Sequence, residues 1–592
     1  MENNGNAIKQ YPYNFVSLGD NVIDKGKRKL GTNTGKLKCK LITKSPLFIG
    51  GRKRDKDGHT LEYFYRENGN FAIPASSLKG SIRNVIDVLT NSVIRNVEHE
   101  RLEERLKPSK KSIVKYGIIE SLPEGDKKGV IKLAHRVKIK KEILTKSSNY
   151  DKNGKIYKIY MKKNIGNSEK IETEDEYKEL LSRKDAQDKV IVTIWIASER
   201  PREMYEKILV KTDEVLYRFD KKELEDIEYL IKQRSDRDKK DGKDFYYKIR
   251  KDKDEKNFFK LKVGDPIIMY QKNKKDNMVH LVFSEIPRVR YEFSPLNLVP
   301  PKFRPSDSLN NLSFSERLFG TIGDNTKKDE GKTDELIALA GRVFFEDAQT
   351  ICKNPKMINN GELVILKPFG EPHPTLVSFY LNRKDDEKKD YNSNAEGGVF
   401  IKGRKFYWHH KDKIEKEFKT FSKSITMNSR EKHNSSLELM DYGNEFEFDV
   451  HFENLTDEEL GVLIYALELE DGLLHKIGRG KAFGFGSCKI EIKKFNLENK
   501  NKYNDFSENI FENCEKEKYI NEAKQKYINE RQNIQELKAI LSQKNNLDFS
   551  KSPFPEETGR TPGKNTLNWF LNKKSKGELV LETILKISEN KN

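Results

Sequence analysis

A glycine-rich stretch near residue 480 carries the residue types with the clearest chemistry in this chain. Residues 475–495 read HKIGRGKAFGFGSCKIEIKKF, and positions 478–486 combine four glycines, two cations and two phenylalanines: Gly478, Gly480, Gly484, Gly486, Arg479, Lys481, Phe483 and Phe485. Glycine permits a positive φ or a close approach to a partner. Arginine and lysine contact phosphates, and aromatic rings stack on bases. The pattern therefore predicts a loop that binds nucleic acid.

A second glycine loop, GGRKRDKDGH, begins at Gly50 and Gly51 and contains the candidate catalytic side chains. The carboxylates of Asp55 and Asp57 could hold Mg²⁺ or position a 2′-hydroxyl for RNA cleavage, and His59 is the nearest histidine. The alternative is a solvated loop, in which these carboxylates are flanked by Arg52, Lys53 and Arg54. The second interpretation is the more common one for such a loop.

The segment FAIPASSLKGSIR supplies a further candidate for anion binding. Pro74 and the pair Ser76 and Ser77 predict the start of a helix, because these residue types favour helix N-termini. Lys79 and Arg83 fall near that start and off the apolar face of the helix. Cations beside unpaired helix amides form an arrangement that attracts anions.

Aromatic residues and histidines meet in the stretch GRKFYWHH. His409 and His410 are adjacent, so on an extended chain they point to opposite faces and make a poor metal-binding pair. Tyr407 and Trp408 are open to two interpretations, which are stacking on RNA bases and ordinary packing.

Other catalytic patterns are incomplete. GKTD at 331–334 resembles part of a P-loop, but Thr326 stands where that pattern requires glycine. No G-x-S-x-G nucleophile motif occurs. The four cysteines lie far apart without C-x-x-C spacing, which argues against a disulfide framework or a cysteine zinc site and fits a reducing cytoplasm.

The overall charge also favours a polyanionic partner. The 592 residues include 113 Lys and Arg against 94 Asp and Glu, a formal net charge of +19. Such an excess attracts nucleic acid with salt-dependent affinity, although a solvated lysine-rich surface is an alternative. The start MENNGNAIKQYPYNFVSLGD lacks the apolar core of a signal peptide, and no apolar run reaches membrane-spanning length. We expect a soluble intracellular protein.

The spacing of apolar residues predicts the strands and helices that would position these loops. Apolar residues alternate with lysines over 36–41, and EFEFDVHF alternates in the same way, so both predict half-buried strands. Thr456 and Glu459 form a capping box for a helix after the second strand. The glycine-rich loop and a strand from Cys488 come next. Together with the helix near residue 80, these elements predict an α+β fold, a βαββαβ unit interrupted in the middle.

Composition divides the chain into five parts. They are a leader (1–35), the first part of the core (36–105), a charged insertion (106–285), the second part of the core with the glycine-rich loop (286–498) and C-terminal helices (499–592). Asp220 and Glu223 predict one capped helix inside the insertion. The tail over 511–543 predicts a single helix that packs against a neighbour through a seven-residue repeat, Ile520, Tyr527, Ile534 and Leu541.

Five motifs in this order, SPLFIGG, FAIPASSLKGSIR, RLFGT, GRVFFEDA and HKIGRGKAFGFGSCKIEI, resemble the RAMP superfamily of CRISPR-associated proteins. Within that family they are similar to the backbone subunits of type III effector complexes. PYNFVSL and GRKFYWHH resemble a long subgroup with an insertion. The resemblance leaves about residues 110–285 uncovered. It implies a ferredoxin-like (RRM-like) RAMP core that grips guide RNA.

The resemblance also implies which residues lie along the guide-RNA backbone. Carried over to this chain they are Gly50, Gly51, Ser76, Ser77, Lys79, Arg83, Arg479, Gly480, Lys481, Gly484 and Gly486. The glycines would let the chain pass close to RNA phosphates, and the cations would neutralise them. Contacts of this kind carry no sequence information, which suits a subunit that must hold any guide.

Two departures from the family pattern matter. Members that cleave target RNA place an Asp in the first loop, and here Asp57 is the nearest acid, with His59 or Thr60 at the aligned place. Related long members often carry Cys-Pro-x-Cys before RLFG, whereas this chain has Ser313 and Glu316 there. These groups do not replace zinc thiolates, so we expect no metal at that point.

Two functions are therefore predicted. The first is a type III CRISPR subunit that binds guide RNA (crRNA), complementary target RNA and other effector subunits in antiviral defence, without a cofactor or a membrane. The alternative is an endoribonuclease that cuts target RNA or processes precursor guide RNA through Asp57 and His59, with Mg²⁺ or by metal-free acid–base chemistry. The enzymatic role is left open. An RNA-binding protein unrelated to CRISPR would leave the ordered motifs to chance.

Overall fold

The chain divides into two compact units, which are described separately here. A computed structural model describes residues 11–56, 59–106, 109, 111–140, 170–171, 173, 175, 192–194, 205–240, 259–274, 279–283, 287–322, 338–365, 376–383, 390–409, 435–499, 510–544, 581 and 583–589. One unit, the core unit, comprises Met1–His99 and Pro295–Asn592. The other, the inserted unit, comprises Glu100–Ser294. All the predicted binding segments belong to the core unit.

Several strands and helices of the core unit position the candidate site. The strands are β1 (Tyr13–Val16), β2 (Asn33–Thr43), β3 (Gly50–Lys56), β4 (His59–Phe64), β5 (Val343–Phe345), β6 (Ala348–Thr350), β7 (Arg404–Tyr407), β8 (Glu445–Leu455) and β9 (Ser487–Glu498). The helices are α1 (Ala75–Leu89), α2 (Phe314–Phe319), α3 (Asp457–Glu468), α4 (Glu517–Tyr527) and α5 (Gln532–Leu541). None of the described helices is long and apolar enough to cross a membrane.

Shorter elements complete the described part of the core unit. The strands among them are Arg66–Glu67, Asn70–Ile73, Thr321–Ile322, Ala338–Leu339, Val364–Ile365, Leu381–Arg383, Val399–Ile401, Ser435–Leu437, His475–Lys476 and Phe511–Asn513. The helices are Val377–Tyr380 and Ile584–Glu589, with 3₁₀ turns at Pro295–Leu298, Pro301–Phe303, Ile358–Gly361 and Lys481–Phe483.

A central antiparallel sheet contains the strand order β9, β2, β8, β6. β2 lies between two long partners, with Leu37 opposite Phe495 of β9 and opposite Val450 of β8. β5 also pairs with β8. Along the chain α1 follows β2, and α3 lies between β8 and β9. The combination of helices with an antiparallel sheet confirms the predicted α+β class.

The two faces of this sheet differ because buried and partly exposed residues alternate along β2. Leu37, Cys39 and Leu41 are fully buried in one hydrophobic core with the apolar faces of α1 and α3. On the opposite face three ion pairs cross from β2 to β8: Lys36–Asp449 at 3.3 Å, Lys38–Glu447 at 2.9 Å and Lys40–Glu445 at 2.6 Å. We call this row of pairs the charge ladder. Its lysines already have their counter-charges.

Both central helices begin where the sequence predicts. α1 follows Pro74 and buries a continuous apolar face, formed by Leu78, Ile82, Val85, Ile86, Val88 and Leu89. α3 follows a capping box, in which Glu459 N–H donates to Thr456 Oγ1 at 3.2 Å and Thr456 N–H donates to Glu459 Oε2 at 3.0 Å. The box provides acceptors for two backbone N–H groups, those of Thr456 and Glu459, which have no partner within the helix.

A second capping box stands where the family resemblance placed thiols. Ser313 precedes α2, and its N–H donates to Glu316 Oε2 at 2.8 Å. The Glu316 carboxylate is fully buried and also accepts from Ser306 Oγ at 2.6 Å. Serine and glutamate suit this position because together they cap the helix of the RLFG motif.

The prediction of a single helix over 511–543 is wrong, because the segment forms α4 and α5 with a break at 528–531. Arg531 explains the break. Its Nη2 donates to the carbonyl oxygens of Tyr527 and Leu89, both at 2.7 Å, and these carbonyls belong to the last turns of α4 and α1. The seven-residue repeat packs within the core unit itself, through Ile520, Tyr527, Ile534 and Leu541.

The inserted unit has a sheet of seven described strands and hydrophobic clusters of its own. The sheet strands are Ile113–Ser121, Gly129–Lys140, Lys170–Ile171, Val192–Ile194, Tyr205–Phe219, Pro266–Gln271 and Val279–Val282. The predicted capping box precedes the helix Lys221–Lys240, and Glu223 N–H donates to Asp220 Oδ1 at 2.9 Å. Near the two ends of the unit, Glu103–Arg105 pairs with Arg288–Arg290. The five-part division of the chain stays a prediction.

Candidate nucleic-acid interface

The glycine-rich loop needs its glycines first for its own folding. Gly478, Gly480, Gly484 and Gly486 have φ angles of 84°, 72°, 92° and 77°, in the left-handed region that favours glycine. A Cβ atom on Gly486 would lie 1.8 Å from the Ile477 carbonyl oxygen, and one on Gly478 would lie 2.4 Å from that of Phe48. The sequence predicts that these glycines let the chain approach RNA phosphates. In the structure they let the loop approach backbone carbonyls of its own chain.

The segment after β2 holds this loop in place. Arg479 N–H donates to the Phe48 carbonyl at 2.9 Å, and Gly486 N–H donates to the Pro46 carbonyl at 2.7 Å. Ser45 Oγ donates to the carbonyl of Gly484 at 2.9 Å. The SPLFIGG motif therefore supports the glycine-rich loop directly, which accounts for the presence of both motifs in one chain.

Lys476 supports the loop from inside and was not predicted. Its Nζ donates to the carbonyl oxygens of Gly484 at 2.7 Å and Phe485 at 3.0 Å. Burial, followed by repulsion from Lys481, lowers the pKa of Lys476 to about 7. Burial also lowers the pKa of Lys481. A lysine two residues before the first glycine is a weak signal, because the sequence does not show which carbonyls it meets.

Arg479 and Gly50, which were predicted separately, lie together. A Cβ atom on Gly50 would lie 3.5 Å from Arg479 Nη1. The half-exposed Arg479 side chain forms an ion pair with the buried carboxylate of Glu62 on β4, and Lys53 Nζ lies 3.4 Å from the same carboxylate. Arg479 is therefore partly compensated, and a phosphate would have to share it with Glu62.

A cleft opens beside Gly50 and Gly51. Its volume is about 710 Å³, and cations and tyrosines dominate its lining, which comprises Gly50, Gly51, Arg52, Arg54, Tyr63, Phe64, Tyr65 and Arg66. The Arg54 guanidinium lies 5.7 Å from the Tyr63 ring centroid, whereas Arg66 pairs with Glu438 at 2.6 Å. Arg52 and Arg54 are exposed. Cations beside aromatic rings are the groups that single-stranded nucleic acid binds.

The start of α1 contributes cations more than free amides. Lys79 Nζ and the Arg83 guanidinium each lie 5.6 Å from the Phe319 ring centroid of the RLFGT motif. Burial, and then the charge of Arg83, lowers the pKa of Lys79. The first amide of the helix, Ala75 N–H, already donates to Asp347 Oδ1 at 2.8 Å. The anion site predicted at this helix start is therefore partly filled by the chain's own carboxylate.

The two serines of this segment differ in exposure. Ser76 is exposed and Ser77 is partly buried in the first turn of α1. On the next turn, Ser81 Oγ lies 3.5 Å from the Lys476 carbonyl oxygen, which links α1 to the base of the glycine-rich loop. The structure thus brings the loop together with Gly50 through Arg479, and with α1 through Ser81.

The candidate catalytic residues are not brought into any described arrangement. Asp57 lies outside the described residues. His59 begins β4 with Lys56 opposite it, and its backbone alone is described. A general acid–base pair therefore stays a prediction.

One group of side chains in the described part of the chain could in principle hold a cation. Ligand atoms of Glu346, Asp449 and His451 lie within 4.8 Å of one another. However, His451 Nε2 lies 2.8 Å from Glu346 Oε1, and Lys36 Nζ lies 3.3 Å from Asp449 Oδ2. The lysine ammonium already stands beside this carboxylate, so the group fits ion pairing better than metal binding. All four cysteines are free thiols.

For one aromatic residue of GRKFYWHH the structure decides between the two interpretations that the sequence left open. Trp408 is 1% exposed and belongs to the hydrophobic core, so packing is the correct interpretation for it. Tyr407 is partly buried on β7. His410 lies outside the described residues, and His409 Nδ1 is 2.8 Å from Ser487 Oγ, directly after the glycine-rich loop.

Comparison with known proteins gives one family. No curated protein matches the chain. Residues 40–264 match the family model described as the RAMP superfamily. The match runs from the middle of β2 through α1 into the inserted unit, so it includes residues 110–264, which the motif resemblance left uncovered. Over residues 40–264, less than half of its length, the chain is therefore similar to the RAMP superfamily, whose members are CRISPR-associated RNA-binding proteins.

Proposed function

We propose that the chain is a backbone subunit of a type III CRISPR effector complex, which holds guide RNA together with other subunits in the cytoplasm. The observation that carries the proposal is that some cations of the core unit form ion pairs with carboxylates whereas others do not. Each lysine of the charge ladder has a carboxylate partner. Among the described residues, Lys79, Arg83 and Lys481 form no ion pair. These cations are available for phosphates.

The topology supports a ferredoxin-like core for this function. In chain order the core contains β2, α1, β5 with β6, β8, α3 and β9, which is a βαββαβ sequence. If these strands are numbered one to four, their order in the sheet is four, one, three, two, with antiparallel neighbours. In this topology the loop between α3 and β9 and the segment after β2 meet at one end of the sheet. The glycine-rich loop occupies that position here.

RNA binding by this surface would be independent of sequence. Arg52 and Arg54 at the cleft, Lys79 and Arg83 on α1, and Lys481 in the loop are all groups that contact phosphate. Guide sequence is read by base pairing with complementary target RNA, so the protein has to recognise only the backbone. Binding needs no cofactor in this proposal.

Removing two cations tests the assignment. We expect Lys79→Ala with Arg83→Ala to weaken binding of single-stranded RNA roughly tenfold or more, because charge-assisted contacts are lost. The slope of log affinity against log salt should fall by about 1.4, or about 0.7 for each lost contact. The matched control is Lys36→Ala with Lys38→Ala, which removes the same charge from the charge ladder. Equal losses in the two double variants would mean that only net charge matters.

The nature of the RNA distinguishes a guide-holding subunit from a general RNA binder. The protein is purified from its native host at moderate salt, and bound RNA is extracted and sequenced at both ends. We expect short RNAs that share a repeat-derived end and differ in spacer. Random fragments would overturn the guide-binding role. Incubating the complex with complementary RNA and Mg²⁺ or EDTA, for wild type and Asp57→Ala, tests the alternative endoribonuclease hypothesis in the same preparation.

A further inference from the structure

The ribbon of β1 and β7 is attached to the base of the glycine-rich loop. The strands pair antiparallel, with Tyr13 opposite Tyr407 and Phe15 opposite Lys405. Just beyond β7, His409 Nδ1 is 2.8 Å from Ser487 Oγ, and its Nε2 is 3.1 Å from the Leu474 carbonyl oxygen. These contacts tie the ribbon to the residues on both sides of the loop.

Lys405 lies against the tyrosines of this ribbon. Its Nζ is 3.7 Å from the ring centroid of Tyr13 and 5.1 Å from that of Tyr407. The hydroxyl of Tyr13 is 3.4 Å from that of Tyr380. The ammonium therefore has aromatic neighbours, which attract a cation but do not neutralise its charge.

Three lysines accumulate positive charge where the ribbon meets the loop. Burial, followed by repulsion from Lys481, lowers the pKa of Lys405 to about 8. Repulsion from Lys481 also acts on the buried Lys476. Among the described residues, no carboxylate forms an ion pair with any of the three lysines or contributes to these pKa values. Withdrawing ammonium groups from water without a counter-charge costs free energy, so a bound anion would complete this cluster.

We propose that Lys405 and Lys481 hold a phosphate group of bound RNA beside the Tyr13 and Tyr407 rings. This subsite rests on the proposed function and extends the RNA path from the glycine-rich loop onto the β1–β7 ribbon. Lys481 belongs to the glycine-rich loop, between Gly480 and Gly484, and its charge acts on Lys405 of the ribbon. It is therefore the group at which the path would pass from the loop to the ribbon. Lys476 keeps its two carbonyl partners and remains part of the framework of the loop.

RNA suits the cluster better than an acidic peptide for a specific reason. The Tyr407 ring is partly exposed and can stack on a base adjoining the phosphate, whereas the Tyr13 ring is buried against Tyr11 and Phe15. An aromatic ring beside cations is typical of single-stranded nucleic acid sites. The ribbon is also anchored to the loop that the proposed function assigns to RNA. Free inorganic phosphate presents the same charged group, and the experiment separates the two sources.

The test compares Lys405→Met with Lys494→Met, which removes an exposed lysine of β9. Affinity for single-stranded RNA is measured from low to moderate salt, and thermal unfolding is measured without RNA. For Lys405→Met we expect roughly tenfold weaker binding and a salt slope reduced by about 0.7. The midpoint of unfolding without RNA should stay the same or rise, because an unbalanced charge has been removed. Lys405→Arg should restore affinity and slope.

The failures of the subsite and of the proposed function look different. Wild-type affinity and slope in Lys405→Met would overturn the subsite alone. A lower unfolding midpoint together with weaker binding, not restored by Lys405→Arg, would show that Lys405 is a structural residue. If millimolar inorganic phosphate stabilises wild type but not Lys405→Met while RNA binding is equal in both, the cluster holds a free anion, which overturns the RNA assignment. Absence of RNA binding by wild type would overturn the proposed function as well.

Discussion

At the scale of single residues, the glycine-rich loop divides its cations into two kinds. Lys476 is buried and donates to the carbonyls of Gly484 and Phe485, so it belongs to the framework of the loop. Arg479 is half-exposed and shares the carboxylate of Glu62 with Lys53. Substituting one kind affects folding first, and substituting the other affects binding first. Variants of this loop therefore need a stability measurement beside every affinity measurement.

Substitution of Lys476 should change how stability depends on pH. The pKa of this lysine falls to about 7 in the folded protein from an ordinary value of 10.5. Between these two values the unfolded chain binds a proton that the folded chain does not, so the free energy of unfolding rises with pH and the gain is lost as pH falls toward 7. Lys476→Met lacks this dependence and loses the two hydrogen bonds to the Gly484 and Phe485 carbonyls.

We therefore expect the free energy of unfolding of wild type to rise relative to that of Lys476→Met from pH 7 to pH 10. Near pH 10 the variant should be less stable than wild type by about 1–3 kcal/mol, from two lost hydrogen bonds worth about 0.5–1.5 kcal/mol each. Urea unfolding at several pH values measures it, with Lys494→Met as a control. A margin that stays constant across this range would contradict the low pKa of Lys476.

At the scale of elements, the local sequence pattern predicted strands and helices correctly where residues close in sequence determine the structure. Strict alternation marked β2, and the capping boxes marked α3 and the helix Lys221–Lys240. The break between α4 and α5 escaped prediction because Arg531 bonds to Leu89, which is far away in sequence. The ion pair of Arg479 with Glu62 escaped for the same reason. The sequence located the loops of the candidate site. It could not show which of their cations are already paired, because the partners, such as Glu62 for Arg479, are distant in sequence.

Two glycine substitutions, one in the glycine-rich loop and one in α1, test whether the loop is packed so tightly that it requires glycine. Gly486→Ala should lower the free energy of unfolding by at least about 2 kcal/mol, because the new methyl group meets the Ile477 carbonyl in a left-handed conformation. Gly80→Ala, in α1, should raise it by about 0.5–1 kcal/mol, since a Cβ atom there meets no atom within 4 Å. Chemical denaturation of both variants gives the comparison. Similar values for the two would argue against a tightly packed loop.

At the scale of the whole molecule, the inserted unit begins and ends at neighbouring points of the core unit. Leu296 N–H donates to the Glu98 carbonyl at 3.2 Å, so the core-unit chain on both sides of the insertion is already joined. The inserted unit has hydrophobic clusters of its own. Two units with separate cores and closely spaced connections are typical of a domain inserted into another.

Excision should therefore leave a folded core unit. We expect a chain in which residues 100–294 are replaced by about four glycine and serine residues to unfold cooperatively and to retain RNA binding. Circular dichroism during heating and RNA titration provide the measurements. The separate segment 100–294, produced alone, should also unfold cooperatively. Loss of cooperative unfolding in the excised chain would show that the core unit depends on the insertion.

The charge ladder has a consequence for how fast RNA arrives. Pairing of Lys36, Lys38 and Lys40 with β8 carboxylates makes that face of the sheet a poor source of long-range field. Lys79, Arg83 and Lys481, which form no ion pair among the described residues, lie instead around α1 and the glycine-rich loop, so the positive field is less compensated there. An approaching RNA strand would be turned by this field before contact. The pairing in the charge ladder would thus help to set the orientation of encounter, and the association rate would fall as salt screens the field of the unpaired cations.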